Sequence, residues 1–558
     1  DIGSMKDIGS MKDIGSMADI GSMKDIGSMK DIGSMADIGS MKDIAAHRGT
    51  VRERSVVQVY GRTGDYFIQV LGQNRAFSTT AYRLVAEVTP PQAPPPLVTR
   101  PAAPTPPDAD PSVKTVILTN QARLRQYYGA TEADTVLASL DRLASHATVA
   151  GKVVRLDGDG DVAAAYRGWD RTEANVDDAN AVAEAVKALL TRALAQYPSA
   201  RNVIIVGHDD IIPFRRVGDP ATLSPEVDYV TQSGAIATSP LAKALAQNYY
   251  LTDDYYAART PYQFLGRELS IPELAVGRLV ETPSQIVAVI DAYLATNGVI
   301  AATTLVAGSA FLQDGALATA DLARQFGSAV DASRVSDDWT AASLKPALLD
   351  NRPDLVVVAS HMTHRTVIAP TGPTLASVEV QASPRTFGGT LVVTIGCHSG
   401  LNVPKVDSGN GPETLDFASV LAAKGATYVA NTGYGYGDSD VVALSERYLA
   451  LLATQYGTAG GIPIGEAAWR AKQLYLATAG PSGFGPFDEK ALAVSTLYGI
   501  PTWRITMPGR ASTTSVRAKS NGSLTGTVAN PGATIEFGAP APAPLRPAGV
   551  ASATFTAR

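Results

Sequence analysis

The chain has 558 residues, of which 45% are hydrophobic and 18% are charged, and its formal net charge is −6. A chain of this length and composition is predicted to fold into two or three domains with at least one full hydrophobic core. The net acidity and the lack of a long basic run argue against nucleic acid as the main partner. A peptide or protein substrate is the better expectation.

Residues 1–44 are a low-complexity leader. They consist of seven hexapeptides, DIGSMK five times and DIGSMA twice, followed by Asp43 and Ile44, and they hold seven of the nine Met residues. A period of six matches neither a coiled-coil heptad nor a solenoid repeat. We interpret this segment as a tag or leader that is foreign in composition to the rest of the chain.

Residues 50–88 are predicted to form a small β domain. Alternating apolar, β-branched and aromatic residues in VVQVY, DYFIQV and YRLVAEV are separated by Gly-rich turns. The segments GDYFIQVLG and FSTTAYRLVAEV resemble the second half of the bacterial pre-peptidase C-terminal domain, a small β module attached to secreted peptidases. An unrelated pair of β-hairpins fits the same pattern. Residues 89–112 follow as a proline-rich linker, which marks a domain boundary.

Residues 113–508 are predicted to form an α/β domain. Short apolar runs alternate with segments of helical periodicity, which is typical of a mostly parallel sheet with helices on both faces. The predicted strands are Thr115–Thr119, Lys152–Leu156, Asn202–Val206, Glu273–Leu279, Thr303–Ala307, Asp354–Ala359, Thr390–Ile395 and Ala426–Ala430. Helices are predicted up to about Ser145, near Ala181–Gln196, at 439–456 and at 463–479. Residues 509–558 are predicted to be a β-rich or flexible appendage.

Two reactive side chains stand where apolar runs end. Cys397 is the only cysteine, so no internal disulfide can form, and it ends the run TLVVTIGC; His361 follows the run LVVVAS. Because the carboxyl ends of parallel strands meet at one edge of a sheet, the thiol and the imidazole should approach each other if the strands are neighbours. A nearby imidazolium would convert the thiol to a nucleophilic thiolate. The pair predicts a cysteine hydrolase, provided that solvent reaches the sulfur.

Other interpretations of these residues stay open. A lone cysteine is often an inert core residue. His364 lies three residues beyond His361 and is equally able to act as a base, although His361 directly ends the strand. Together with His398 these histidines also permit a metal site, but Zn²⁺ ligands usually occur in closely spaced pairs, so no metal is predicted here.

Several ordered motifs give a more specific expectation. They are DLVVVASH, TLVVTIGC, NVIIVGHDDIIPF from Asn202, LTDDYY from Leu251, AVGRL from Ala275 and YGIP from Tyr498. On these motifs the domain resembles the gingipain-type cysteine peptidases of the caspase-like clan, over nearly 400 residues. The resemblance implies a caspase-like fold, with Cys397 as nucleophile and His361 as general acid and base. The main-chain N–H groups of Cys397 and Met362 would hold the oxyanion. Members of the family have Gly where this chain has Met362.

The resemblance also suggests a substrate pocket. Asp253 lies where gingipain-type enzymes that cut after arginine carry the acid of the primary pocket, and Asp254 could take that role if the alignment shifts by one residue. A buried carboxylate would pair with the guanidinium of a substrate by two charge-assisted hydrogen bonds. Tyr434 and Tyr436 could form an aromatic wall of that pocket. A pair of capping or solvated aspartates is an equally open interpretation.

Two further sequence patterns bear on ligand binding. Asp157-Gly158-Asp159-Gly160-Asp161 alternates carboxylates as a Ca²⁺ loop does, but Val162 and Gly168 stand where an EF-hand needs Gly and Glu. A plain turn or a looser structural Ca²⁺ site fits this stretch. No glycine fingerprint for a dinucleotide follows the first strand. No cofactor is therefore expected to be required.

The sequence thus predicts a cysteine endopeptidase that forms a thioester through Cys397 and cuts after a basic residue. The alternative is an inactive relative that serves as an extracellular binding module. No stretch approaches the roughly 18 apolar residues of a membrane span. A bacterial protein that is secreted or located in the cell envelope is expected, although the chain shows no signal-peptide pattern. The oligomeric state is not indicated.

Overall fold

A computed structural model describes residues 106–509, except for 173–174, 222, 260, 265, 409–414, 439–441 and 480–483, together with three short strands near the C-terminus. The predicted leader, the predicted small β domain and most of the linker lie outside the described residues. None of the helices in the described part of the chain is long and apolar enough to span a membrane.

The centre of the domain is a ten-stranded sheet. Its strands are β1 (Thr115–Thr119), β2 (Gly151–Arg155), β3 (Asn202–Val206), β4 (Ala275–Leu279), β5 (Thr303–Gly308), β6 (Ala329–Val335), β7 (Leu355–Ala359), β8 (Leu391–Thr394), β9 (Thr427–Asn431) and β10 (Ser495–Tyr498). They lie in the order β6-β5-β7-β8-β9-β10-β4-β3-β1-β2. The eight strands that the sequence predicts are all present, with ends that differ by at most two residues.

One antiparallel pair divides this sheet. β9 and β10 are antiparallel, whereas every other neighbouring pair is parallel. The strands of the β5–β9 half therefore point one way, and those of the β1–β4 half, with β10, point the other way. As a result, the carboxyl ends of the two halves lie at opposite edges of the sheet.

Helices cover both faces of the sheet, and the core is built accordingly. The fifteen α-helices of the described residues are α1 (Gln121–Tyr128), α2 (Ala130–Ala144), α3 (Gly160–Arg171), α4 (Val176–Gln196), α5 (Val230–Ser233), α6 (Pro240–Ala246), α7 (Asp254–Ala257), α8 (Pro283–Ala295), α9 (Gln313–Gln325), α10 (Ala341–Leu349), α11 (Ser377–Ala382), α12 (Phe417–Ala423), α13 (Leu444–Gln455), α14 (Ile464–Ala477) and α15 (Pro486–Ala493). In β7, Leu355, Val357 and Ala359 belong to one core cluster, while Val356 and Val358 belong to another. Successive side chains point to opposite faces, so both faces are buried. The predicted α/β class is confirmed.

The remaining strands are short and lie outside the large sheet. They pair as Arg215–Gly218 with Tyr249–Thr252, Tyr262–Phe264 with Arg267–Leu269, Thr366–Val367 with Leu375–Ala376, and Ile462–Pro463 with Arg504–Thr506 beside Gly298–Ile300. The C-terminal strands Arg517–Ala518, Ser523–Thr525 and Phe555–Thr556 form a further small sheet.

Candidate active site

His361 and Cys397 leave the sheet from neighbouring strands. β7 and β8 are parallel, and their register pairs Leu355 with Leu391 and Val358 with Thr394. Continued at the same spacing, this register places His361 opposite Cys397. The close approach persists beyond the strands, because a Cβ on Gly396 would lie only 2.6 Å from the carbonyl oxygen of Ser360. The two predicted reactive residues thus leave the sheet at the same edge of the β5–β9 half, from neighbouring strands.

The Cys397 thiol is buried. The residue is 8% exposed, and its Sγ lies 3.6 Å from the carbonyl oxygen of Gly435, to which the thiol donates. Burial raises the pKa of the Cys397 thiol to about 11, against a lowering by the main chain of Gly435, and the carboxylate of Glu226 raises it further. At neutral pH the sulfur is therefore a thiol rather than a thiolate, and the predicted access of solvent to the sulfur is not met in this structure.

Two main-chain N–H groups are available beside the sulfur. Met362 faces Val367 across a small hairpin as a non-hydrogen-bonded pair, because the hydrogen bonds run through Thr363 and Ile368 instead. Its N–H therefore points away from the hairpin. Among the described residues, no other residue accepts a hydrogen bond from the N–H of Met362 or from that of Cys397. Both groups are free to bind a developing oxyanion.

Gly396 provides the space for the Met362 side chain. The Met362 side chain is 4% exposed, and its Cγ lies 2.6 Å from the position that a Cβ on Gly396 would occupy. The missing side chain of Gly396 therefore provides the space that the longer Met362 side chain fills. The sharp turn after Cys397 is made by His398, whose φ is +52°, rather than by a glycine.

The two candidate bases have different surroundings. The half-buried ring of His361 stacks on Phe311, which follows β5, with ring centres 4.3 Å apart. His364 is fully buried, and its Nδ1 lies 2.8 Å from the hydroxyl of Tyr229. Burial, with the charge of Arg365, holds the pKa of His364 well below its usual range. His364 is thus a neutral partner of Tyr229, and His361 has the more open position.

Beside the sulfur lies an ionic network that the sequence analysis did not identify. Nε2 of His398 lies 2.8 Å from one carboxylate oxygen of Glu226, and the other oxygen lies 2.8 Å from Nζ of Lys490. Lys490 also pairs with Asp219 at 2.6 Å. Burial acts to raise the pKa of Glu226, but Lys490 and His398 outweigh it and lower that pKa to about 2. The network joins residues that are up to 271 positions apart, so no local pattern could reveal it.

Asp253 and Asp254 are not free to bind a substrate. Both carboxylate oxygens of Asp253 accept hydrogen bonds from the buried guanidinium of Arg278, at 2.8 and 2.6 Å. Asp254 pairs with Lys472 at 2.7 Å on both oxygens. Nearby is a cavity of only about 20 Å³, enough for a water molecule but not for a side chain. The predicted role of these aspartates in a pocket is corrected on this point: each neutralises a cation of the chain itself.

Tyr434 and Tyr436 are buried, and their rings face a cation. Nζ of Lys490 lies 5.3 Å from the ring centre of Tyr434 and 5.4 Å from that of Tyr436. The two rings thus flank a cation of the chain itself, and their role as the wall of a substrate pocket stays a prediction. Gly435, between the two tyrosines, is the residue that contacts the Cys397 sulfur.

The suggested Ca²⁺ loop has a local structural role. Asp159 begins α3 as its N-cap and accepts hydrogen bonds from the N–H groups of Asp161 and Val162 at 3.1 Å. Across the residues that the structure describes, no group of three or more His, Cys, Asp or Glu side chains is arranged to hold a metal ion.

Comparison with known proteins gives a distant likeness. The sequence matches no known family profile and no curated protein. A solved structure described as a protease has a TM-score of 0.43 and 13% identity, covering 75% of this chain and 85% of its own. The complex of the pro- and mature domains of RgpB from Porphyromonas gingivalis has the same TM-score and identity, covering 73% and 83%. At this level of similarity neither structure supports an argument about function.

Proposed function

We propose that this chain is a cysteine endopeptidase in which Cys397 is the nucleophile and His361 the general acid and base. The observation that carries the proposal is the register of β7 and β8, which brings these two residues to one sheet edge. The free N–H groups of Cys397 and Met362 supply the donors that an oxyanion needs.

The chemistry follows from these groups. His361 takes the proton of the thiol, and the thiolate attacks the carbonyl carbon of a peptide bond, while the two N–H groups stabilise the negative oxygen. The bond to nitrogen breaks as His361 returns the proton to the leaving amine, which leaves a thioester on Cys397. Water, deprotonated by His361, then hydrolyses the thioester. Asp253 and Asp254 are paired with Arg278 and Lys472, so they do not support a preference for basic residues, and we leave the specificity unassigned.

A positional-scanning peptide assay tests this proposal. Cys397→Ala and His361→Ala should each reduce turnover to background, a loss of at least about 1,000-fold, because each removes a group that acts in the transition state. His146→Ala is a matched control, since this histidine lies outside the site and bonds to Thr148. Unaltered turnover in either site variant would refute the assignment.

A second candidate is an inactive relative that acts as a binding module. The burial of Cys397 and its raised pKa favour it. Failure of iodoacetamide to label Cys397 in every folded form of the protein, together with no peptide turnover, would support this candidate over the first.

A further inference from the structure

The segment that buries the sulfur comes from the other half of the sheet. Residues 223–239, named here the cover, belong to the connection between β3 and β4. They cross to the carboxyl edge of the β5–β9 half, where the Tyr229 ring lies flat on the ring of His398 with centres 3.3 Å apart. Tyr229 and Cys397 belong to the same core cluster. A substrate carbonyl must come within about 3.5 Å of a nucleophile, so a segment packed in the same cluster as Cys397 bears on access to the sulfur.

The cover is attached to the loops that follow three strands of the β5–β9 half. Glu226 contacts His398 and Tyr434. Tyr229 contacts His364, Ser233 contacts Arg365, and Ile236 contacts Asp407. The carbonyls of residues 223–224 accept hydrogen bonds from the hydroxyl of Tyr436. It therefore joins the loop after β7, the loop after β8 and the loop after β9.

Lys490, on α15, holds the cover in place. Its Nζ pairs with Glu226 of the cover and with Asp219 just before it, and donates to the carbonyl of Ser224 at 3.1 Å. The side chains of Lys490, Glu226 and Asp219 are all fully buried. Because a buried charge is costly without a partner, each of these ion pairs opposes opening.

Only one large hydrophobic side chain of the cover is fully inserted in the core. Among the buried residues Ser224, Glu226, Tyr229, Ser233 and Ser239 this is Tyr229; Leu223, Val230 and Ala235 pack half-buried against the same core, and Val227 and Ile236 are each 42% exposed. A segment attached mainly by hydrogen bonds and ion pairs can detach without unfolding the apolar cores on the two faces of the sheet. Ser224, with φ +48°, lies in the left-handed region at the start of the segment, where a hinge would be needed.

We infer that residues 223–239 are an inhibitory cover on Cys397, held shut by Tyr229 and by the Lys490–Glu226 pair, and that they must swing away before the thiol can react. This inference rests on the proposed function for its purpose. It predicts two states of the folded chain: a closed state with a protonated, inaccessible sulfur, and an open state in which His361 can activate it.

The rate at which iodoacetamide labels the single thiol, followed by intact mass, measures the opening directly. In the full wild-type chain the rate should be at least about 100-fold below that of the unfolded chain. Tyr229→Ala should raise it at least tenfold, and Glu226→Gln, which keeps the shape but removes the charge, should raise it as well. Labelling through local opening should change little between 0 and about 1 M urea, because little surface is exposed.

Tyr456→Ala is the matched control, since Tyr456 is equally buried but lies just beyond α13, away from the cover. The inference is overturned if the wild-type thiol reacts as fast as an unfolded one. It is equally overturned if Tyr456→Ala accelerates labelling as much as Tyr229→Ala, or if labelling rises steeply with urea. Faster labelling of Tyr229→Ala without any peptide turnover would support the cover and refute the peptidase. Fast labelling together with peptide turnover in the wild-type chain would refute the cover and support the peptidase.

Discussion

Two polar regions of this molecule, one around Asp253 and one around Cys397, differ in how their groups are matched. Around Asp253 each buried carboxylate meets a cation of the chain with both oxygens, as Asp253 does with Arg278 and Asp254 with Lys472. Around Cys397 the buried thiol lies beside the Glu226–Lys490 network, and the pKa of the thiol is raised. The first region is neutralised pair by pair within the chain, whereas the second keeps a thiol that we propose to be reactive.

The largest effect on stability should come from breaking the first region. Asp253→Asn leaves the guanidinium of Arg278 buried without a counter-charge, which should lower the free energy of unfolding by about 3–5 kcal/mol. Urea unfolding measures this loss. The control is Asp291→Asn, which breaks the exposed pair with Arg142 and should cost less than about 1 kcal/mol. If the Asp253→Asn protein kept its stability and lost activity only toward basic substrates, the result would support the role of Asp253 in a substrate pocket.

A pH-dependent effect should come from Glu446, near the second region. Burial raises the pKa of Glu446 to about 8, although its carboxylate accepts hydrogen bonds from Gly315 and Asp438. The folded state therefore holds the proton more tightly than the unfolded state, so this contribution to stability is full below pH 4.5 and is lost as the pH rises through 8. Glu446→Gln should remove this loss of stability at high pH.

Relative to wild type, Glu446→Gln should gain on the order of 5 kcal/mol of unfolding free energy between pH 4.5 and 9. Urea unfolding at several pH values measures the difference. A constant difference across this range would show that Glu446 titrates normally in the folded protein.

The smallest effect should come from Phe311, which stacks on His361. Phe311→Ala should lower kcat about tenfold while KM changes little. The reason is that the imidazole of His361 loses the aromatic ring that fixes its orientation. The pH profile of kcat/KM should shift as the surroundings of His361 change. Phe311→Leu, which keeps most of the bulk but not the flat ring, separates stacking from packing. Equal changes in kcat and KM would indicate a general disturbance instead.

The sequence predicted the parts of this molecule that depend on local pattern. The runs LVVVA and LVVT are buried on both faces, and such runs indicate the interior strands of a parallel sheet wherever they occur. These runs lead into His361 and Cys397. Once the two strands are seen to be neighbours, both residues are expected at the same edge of the sheet. β10, with only the four residues STLY, carried no comparable signal, and so the antiparallel division of the sheet was not predicted.

Partners that are distant in the chain could not be predicted. Asp253 was assigned to a substrate because a local motif shows a carboxylate but not the cation that meets it 25 residues away, at Arg278. The same holds for Tyr229 and Glu226, in the connection between β3 and β4, and for Lys490, which pairs with Glu226 from the connection between β9 and β10. The contacts around the sulfur are long-range, so the sequence pattern predicts Cys397 and His361 but not the residues that pack around them.

The most direct test of the central claim is to look for the covalent intermediate. The full chain, and the Tyr229→Ala variant, would be mixed with a peptide ester, quenched in acid within the first turnover and analysed by intact mass. We predict a mass increase equal to the acyl group, mapped to Cys397, that decays with water and is absent in Cys397→Ser under the same quench. Turnover without any adduct on Cys397, or an acyl group mapped to another residue, would contradict the account.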